Sequence, residues 1–153
     1  MGFNIGVWSD QTDKNNDCDE FIDRVFYYFV DSVEMWGDKS ILIQAGKYYK
    51  IDLSPLQKIV YTNGDLPKEY IESQYQDVNM LLSLVKEFRI KVKEDPNGCD
   101  KMEYDPAESD NSEEHPYKHY FESGDIIEDL DSLIRYLQFY KNLGVKEVYL
   151  TAG

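Results

Sequence analysis

A chain of 153 residues is the length of one domain and can bury a hydrophobic core, and 42% hydrophobic with 14% aromatic residues excludes a disordered composition. The formal net charge is −14, from 30 acidic and 16 basic side chains, the wrong sign for contacting nucleic-acid phosphates, which are held by Lys and Arg. Two cysteines, Cys18 and Cys99, are too few for a disulfide framework, so a reducing cytoplasm is the expected setting.

No stretch approaches the roughly 18 consecutive apolar residues of a membrane helix, and Met1 to Gly6 lacks the basic and apolar regions of an export signal. The negative charge is local. Residues 94–131 carry 14 acids against two bases, Lys101 and Lys118, a net of −12, while the other 115 residues hold 16 acids and 14 bases. A general solubility device would spread its charge along the chain. Thirteen tyrosines stand against seven phenylalanines and two tryptophans, an amphipathic mix that suits sheet surfaces and interfaces.

Phe3 to Trp8 reads as a strand, ending in the polar loop Asp10 to Asn16. Asp17 and Glu20 have capping-box spacing, and Phe21, Ile22, Val25, Phe26, Phe29, Val30 and Val33 follow at helical period. Trp36-Gly37 ends this first helix, with Gly37 as its C′ residue. Ser40 to Ala45 is short and apolar until Gly46 breaks it, and Tyr48 to Leu53 alternates like a strand. Ser54-Pro55 fits a turn or a helix start, Ile59 to Thr62 allows a strand, and Thr62 to Asp65 is a turn. Leu66 to Gln76 is expected to be a loop with a helical turn.

The second long helix starts near Asp77, holds Leu81, Leu82, Val85, Phe88 and Val92 on one face, and stops at Asp95-Pro96-Asn97-Gly98. Residues 95–116 then read as a long acidic surface loop with few apolar anchors, a length that usually signals function or disorder. Tyr117 to Ser123 alternates like a strand. Asp125 and Glu128 repeat the capping-box spacing before a third helix, whose core face is Ile127, Leu130, Ile134, Leu137 and Tyr140, widened by Leu133. Gly144 follows as its C′ residue, and Val145 to Leu150 forms a last strand. These elements predict one α+β domain over 1–153, a small mixed or antiparallel sheet packed by about three helices.

Catalytic and metal signatures along the same path are incomplete. Asp13, Asn15 and Asp17 open like a calcium loop, but Cys18 stands where glycine is required and Arg24 where the bidentate acid belongs. His115 and His119 are four apart, yet Pro116 favours an extended path that would hold them roughly 13 Å apart, as two half-exposed histidines. Cys18, at the expected first turn of helix one, is surrounded by Asp17, Asp19 and Glu20, which oppose the thiolate. There is no GxSxG, P-loop, GxGxxG or HExxH pattern. No catalytic residue, metal ligand or cofactor is therefore assigned, and no enzyme is expected.

The two ends of the chain resemble a family of bacterial polymorphic-toxin immunity proteins, the one numbered 70 in that set. The resemblance is carried by Met1-Gly2-Phe3, the aromatic run Phe21 to Val33 with Trp36-Gly37, and the ending from Tyr120-Phe121-Glu122-Ser123-Gly124-Asp125 to Gly144-Val145-Lys146-Glu147-Val148. It is thin through residues 40–116. It implies a small cytoplasmic protein that binds and neutralises a cognate toxin. In that reading the acids Glu108, Asp110, Glu113 and Glu114 steer a basic partner, and Tyr104, Tyr117 and Tyr120 are candidate anchors. Two other readings use the same stretch: a non-catalytic adaptor or regulatory subunit, and an enzyme whose carboxylates hold a divalent metal.

Overall fold

The computed structural model describes residues 3–62, 64–104 and 114–153, and the side chains of 32–36 are left aside. Four strands form the sheet: β1 (Ile5–Trp8), β2 (Ile59–Tyr61), β3 (Gln76–Asp77) and β4 (Glu147–Ala152). β4 is the centre. β1 lies antiparallel to it with Ile5 opposite Ala152, β2 parallel with Ile59 opposite Leu150, and β3 antiparallel against its first residues. The sheet is mixed, and the fold is α+β. Six helices accompany it among the described residues: α1 (Arg24–Trp36), α2 (Ile41–Tyr49), α3 (Lys68–Ser73), α4 (Val78–Glu94), α5 (Lys118–Glu122) and α6 (Asp125–Asn142). α1, α4 and α6 are the three long ones anticipated from periodicity. No helix among the described residues is long and apolar enough to cross a membrane.

α4 starts where its cap predicts. Asp77 accepts a hydrogen bond from the Met80 amide at 2.9 Å, and Leu81, Leu82, Val85, Phe88 and Val92 are all buried. α1 starts later than expected. The Asp23 amide donates to the buried Asp129 carboxylate at 3.0 Å, and the Asp23 side chain accepts from the Val25 amide at 3.0 Å. That local turn fixes the helix start at Arg24 and leaves Phe21 exposed, outside the expected apolar face. Cys18 is consequently not at a helix terminus. The polar loop after β1 is pinned by Asn15, whose side chain receives the Ser9 amide and the Tyr140 hydroxyl.

α2 replaces a predicted break and strand. Ser40 caps it by accepting from the Ile43 amide at 3.2 Å, and Ile41, Leu42, Ala45 and Tyr49 face the core at helical spacing. Gly46 is inside this helix rather than ending it. A Cβ there would lie 2.9 Å from the Ile51 carbonyl oxygen, so glycine permits the returning chain to pack on the helix. The Tyr48-Tyr49 pair closes α2 onto the end of α4: Tyr48 donates to the Asp95 carboxylate, Tyr49 to the Asp95 carbonyl at 2.7 Å. Ser54–Gln57 is a short 3-10 turn with proline at its start, and Ile59 to Tyr61 is the strand the sequence allowed.

α5 also replaces a predicted strand. Tyr117, Tyr120 and Phe121 fit a helical spacing as well as an alternating one, and Lys118 with Glu122 adds an i,i+4 ion pair at 2.7 Å. Phe121 packs edge-on against Phe29 at 5.7 Å, and Phe29 stacks on Phe88 at 6.1 Å. Gly124, at φ 89°, makes the joint into α6 and occupies the cap position where Asp125 was expected. Asp125 and Glu128 sit in the first turn of α6, where their charge complements the helix dipole without capping it. The core stripe of α6 is Ile126, Leu130, Leu133, Leu137 and Tyr140, with Ile127 and Ile134 only partly buried against it.

Candidate functional site

The acidic stretch begins and ends on the body of the protein. After α4, residues Gly98–Lys101 form a 3-10 turn whose Gly98 and Cys99 are buried. A Cβ on Gly98 would meet the Tyr49 hydroxyl at 2.5 Å, so the turn lies tight against the tyrosine pair. Met102 is buried, and Glu103 is held by a two-way exchange with the Gln44 side chain, its amide donating at 2.6 Å and its carbonyl accepting at 2.8 Å. On the return, His115 is buried at 5% exposure. The expectation of few apolar anchors and of two half-exposed histidines is thus corrected: Cys99, Met102 and His115 are inside, and His119 is exposed on α5, 3.8 Å from Asp125. α5 also removes the extended path from which their separation was inferred.

Of the candidate partner-binding residues, Glu108, Asp110 and Glu113 lie outside the described residues. Tyr104 and Glu114 are brought together around one pocket of about 370 Å³ at the loop's base. The Tyr104 ring meets His115 edge-on with centroids 4.9 Å apart, and Glu114 is exposed. Tyr117 is half-buried and packs edge-on against Phe29 at 6.1 Å, beside the pocket rather than in it. Tyr120 is not a surface anchor. It is buried, donates to the Asp129 carboxylate at 2.6 Å, and its phenol is pushed upward in pKa by burial and by that neighbour's charge. The buried Asp129 carboxyl is itself raised, by burial first.

Residues not anticipated complete the pocket. Cys99 and Met102 add apolar lining, and Asp100 and Lys118 add charge. Lys118 is shared between Asp100 at 2.6 Å and Glu122 at 2.7 Å, which hold it charged. Its signal in the sequence was its isolation, as one of two bases among fourteen acids. The Cys99 thiol is pushed up to about 12, by burial first and then by Asp100, so it is a packing group and not a nucleophile at neutral pH. Cys18 is raised too, by burial and then Glu20.

His115 is the exceptional side chain. Its Nδ1 accepts from the Tyr117 amide at 3.2 Å, so the neutral ring carries its proton on Nε2. That Nε2 is buried with no hydrogen-bond partner among the described residues. Burial lowers the His115 pKa to about 4, keeping the ring neutral. A buried donor without an acceptor costs about 1–3 kcal/mol. Among the described residues no group of three or more His, Cys, Asp or Glu side chains could hold a metal ion.

Comparison with protein-family models, with curated proteins and with solved structures gives no significant match.

Proposed function

We propose that this chain is a cytoplasmic immunity protein that binds a cognate bacterial toxin and neutralises it by stoichiometric protein–protein inhibition. The observation that carries the reading is the confinement of the charge excess to residues 94–131, with that stretch rooted at both ends in the core. Complementary charge speeds the encounter with a basic partner and fixes which partner is accepted. Tyr104 and Tyr117 flank the loop's base as half-buried aromatics, the residue type that anchors interfaces. The resemblance of both chain ends to immunity proteins supports the same reading.

Co-expression with a toxin encoded by an adjacent gene, scored for survival, tests it directly. Protection together with a one-to-one complex is the expected result. No binding and no protection against any neighbouring toxin would sink it. Co-purification of a constant cellular protein in the absence of such a gene would select the adaptor reading. A magnesium-, calcium- or manganese-dependent melting shift, lost when Glu113 and Glu114 are neutralised, would select the metal-using one.

A further inference from the structure

We infer that the cleft on the outer face of the sheet, floored by Gly6 and Thr151 and flanked by Trp8 and Phe21, binds an uncharged sugar ring. The inference is independent of the toxin reading and uses none of the residues of the acidic stretch. Strand alternation builds the floor. Ile5 and Val7 enter the core, so Gly6 and Trp8 turn to the opposite face. Thr151 lies opposite Gly6 in β4 and shares that face. α6 brings Tyr136, and the chain after β1 brings Phe21, to the same cleft of about 290 Å³. A Cβ on Gly6 would lie 2.9 Å from the Thr151 Oγ1 and 3.7 Å from the Tyr136 hydroxyl. Two hydroxyls therefore converge on a strand position that has no side chain. A glycine inside a strand is where a ligand can come close to the backbone.

The lining selects the chemistry. Trp8 is 37% exposed and Phe21 65%. Single exposed aromatics are ordinary, but these two line one cleft and offer apolar faces to one ligand. The hydroxyls of Tyr136 and Thr151 have no hydrogen-bond partner among the described residues. Each can donate and accept, and a wholly apolar ligand would leave both unpaired. Burial raises the pKa of the Tyr136 phenol, so it keeps its proton to donate. Glu20 is the one charged side chain of the lining among the described residues, and Arg135 already pairs with it at 2.7 Å. A charged ligand would lose its hydration without meeting a free counter-charge. The ligand that remains is neutral, with an apolar face and a hydroxylated edge, which is the chemistry of a pyranose. The volume lies at the lower end of ligand sites and suits one ring.

Trp8 and Trp36 are the two tryptophans of the chain, so their indole N–H signals separate this cleft from the rest of the molecule. Methyl pyranosides of glucose, galactose, mannose and N-acetylglucosamine are titrated one at a time into the full chain. At least one should shift the Trp8 signal saturably and leave that of Trp36 in place. Tyr136→Phe and Thr151→Val should each weaken that sugar roughly threefold or more. Their urea midpoints should stay at the wild-type value, because neither hydroxyl is bonded within the fold. Trp8→Ala, read at the Gly6 amide, should abolish binding. No saturable shift with any of the four sugars would overturn the inference, as would affinity unchanged by both hydroxyl deletions. Adenosine bound as tightly as the best sugar would overturn it too, by assigning the cleft to flat aromatic rings.

Discussion

The α4–α6 layer and the base of the acidic loop are both buried, but they are buried by different chemistry. In the layer, Phe88, Val92, Leu130 and Leu133 are fully buried apolar side chains on two helices that pack together, and burial there is favourable throughout. At the loop base, a thiol, a thioether, an imidazole and a cluster of charges are drawn together, with one ring nitrogen unpaired among the described residues. The first region is optimised for holding the fold. The second carries a local cost in stability, that of a buried donor without an acceptor among the described residues.

Four measurements break or sharpen that contrast. Phe88→Ala removes a ring in contact with Phe29 and Tyr49 and should cost about 3–5 kcal/mol in urea unfolding, the full penalty of a close-packed layer. Gly98→Ala drives a methyl into the Tyr49 hydroxyl and should cost about 1–3 kcal/mol, showing that the turn under the loop is held tightly despite its polarity. Acid should weaken the loop base through His115. Its folded pKa of about 4 lies below the 6.5 ordinary for a solvated histidine, so the unfolded chain takes up the proton first. The stability associated with the neutral ring is complete above pH 6.5 and is lost as pH falls towards 4, roughly 2 kcal/mol between pH 7 and 4.5. Urea midpoints of the wild type and His115→Phe across that range should converge or cross on the acid side; parallel curves would refute the assignment. Glu114→Gln, exposed and without an ion pair among the described residues, should change stability by less than about 0.5 kcal/mol, whatever it does to binding.

The legible part of the fold was the part with a single periodicity. α4 and α6 each carry five or more apolar residues in one stripe, and Asp77 and Gly144 mark their ends chemically. α2 and α5 were not legible, because in short segments the alternating and helical spacings coincide and tertiary contacts decide. Gly46 reads locally as a breaker, and only the approach of Ile51 explains its place inside a helix. The start of α1 depended on Asp129, 106 residues away along the chain. The site was half legible. The sequence marked Tyr104 and Glu114 through the charge run. Composition cannot distinguish Tyr120, which turns inward to Asp129, from a surface tyrosine. Nor could it show that His115 is buried, since that follows from how the 98–102 turn and α5 close around it.

The central strand imposes an order in time. Among the described residues β1, β2 and β3 pair with β4 and with no other strand, and β4 follows the end of β2 by more than eighty residues. During synthesis at ~5–20 residues per second, β1 and β2 wait on the order of ten seconds for their partner to leave the ribosome. Pairing at such separation also slows refolding after dilution from denaturant. Until residues 147–152 arrive, Ile5, Val7, Ile59 and Val60, all buried in the finished protein, have no sheet to join. The nascent chain is therefore most open to aggregation just before its last strand emerges, when the helices are already able to form and the strands are not yet paired.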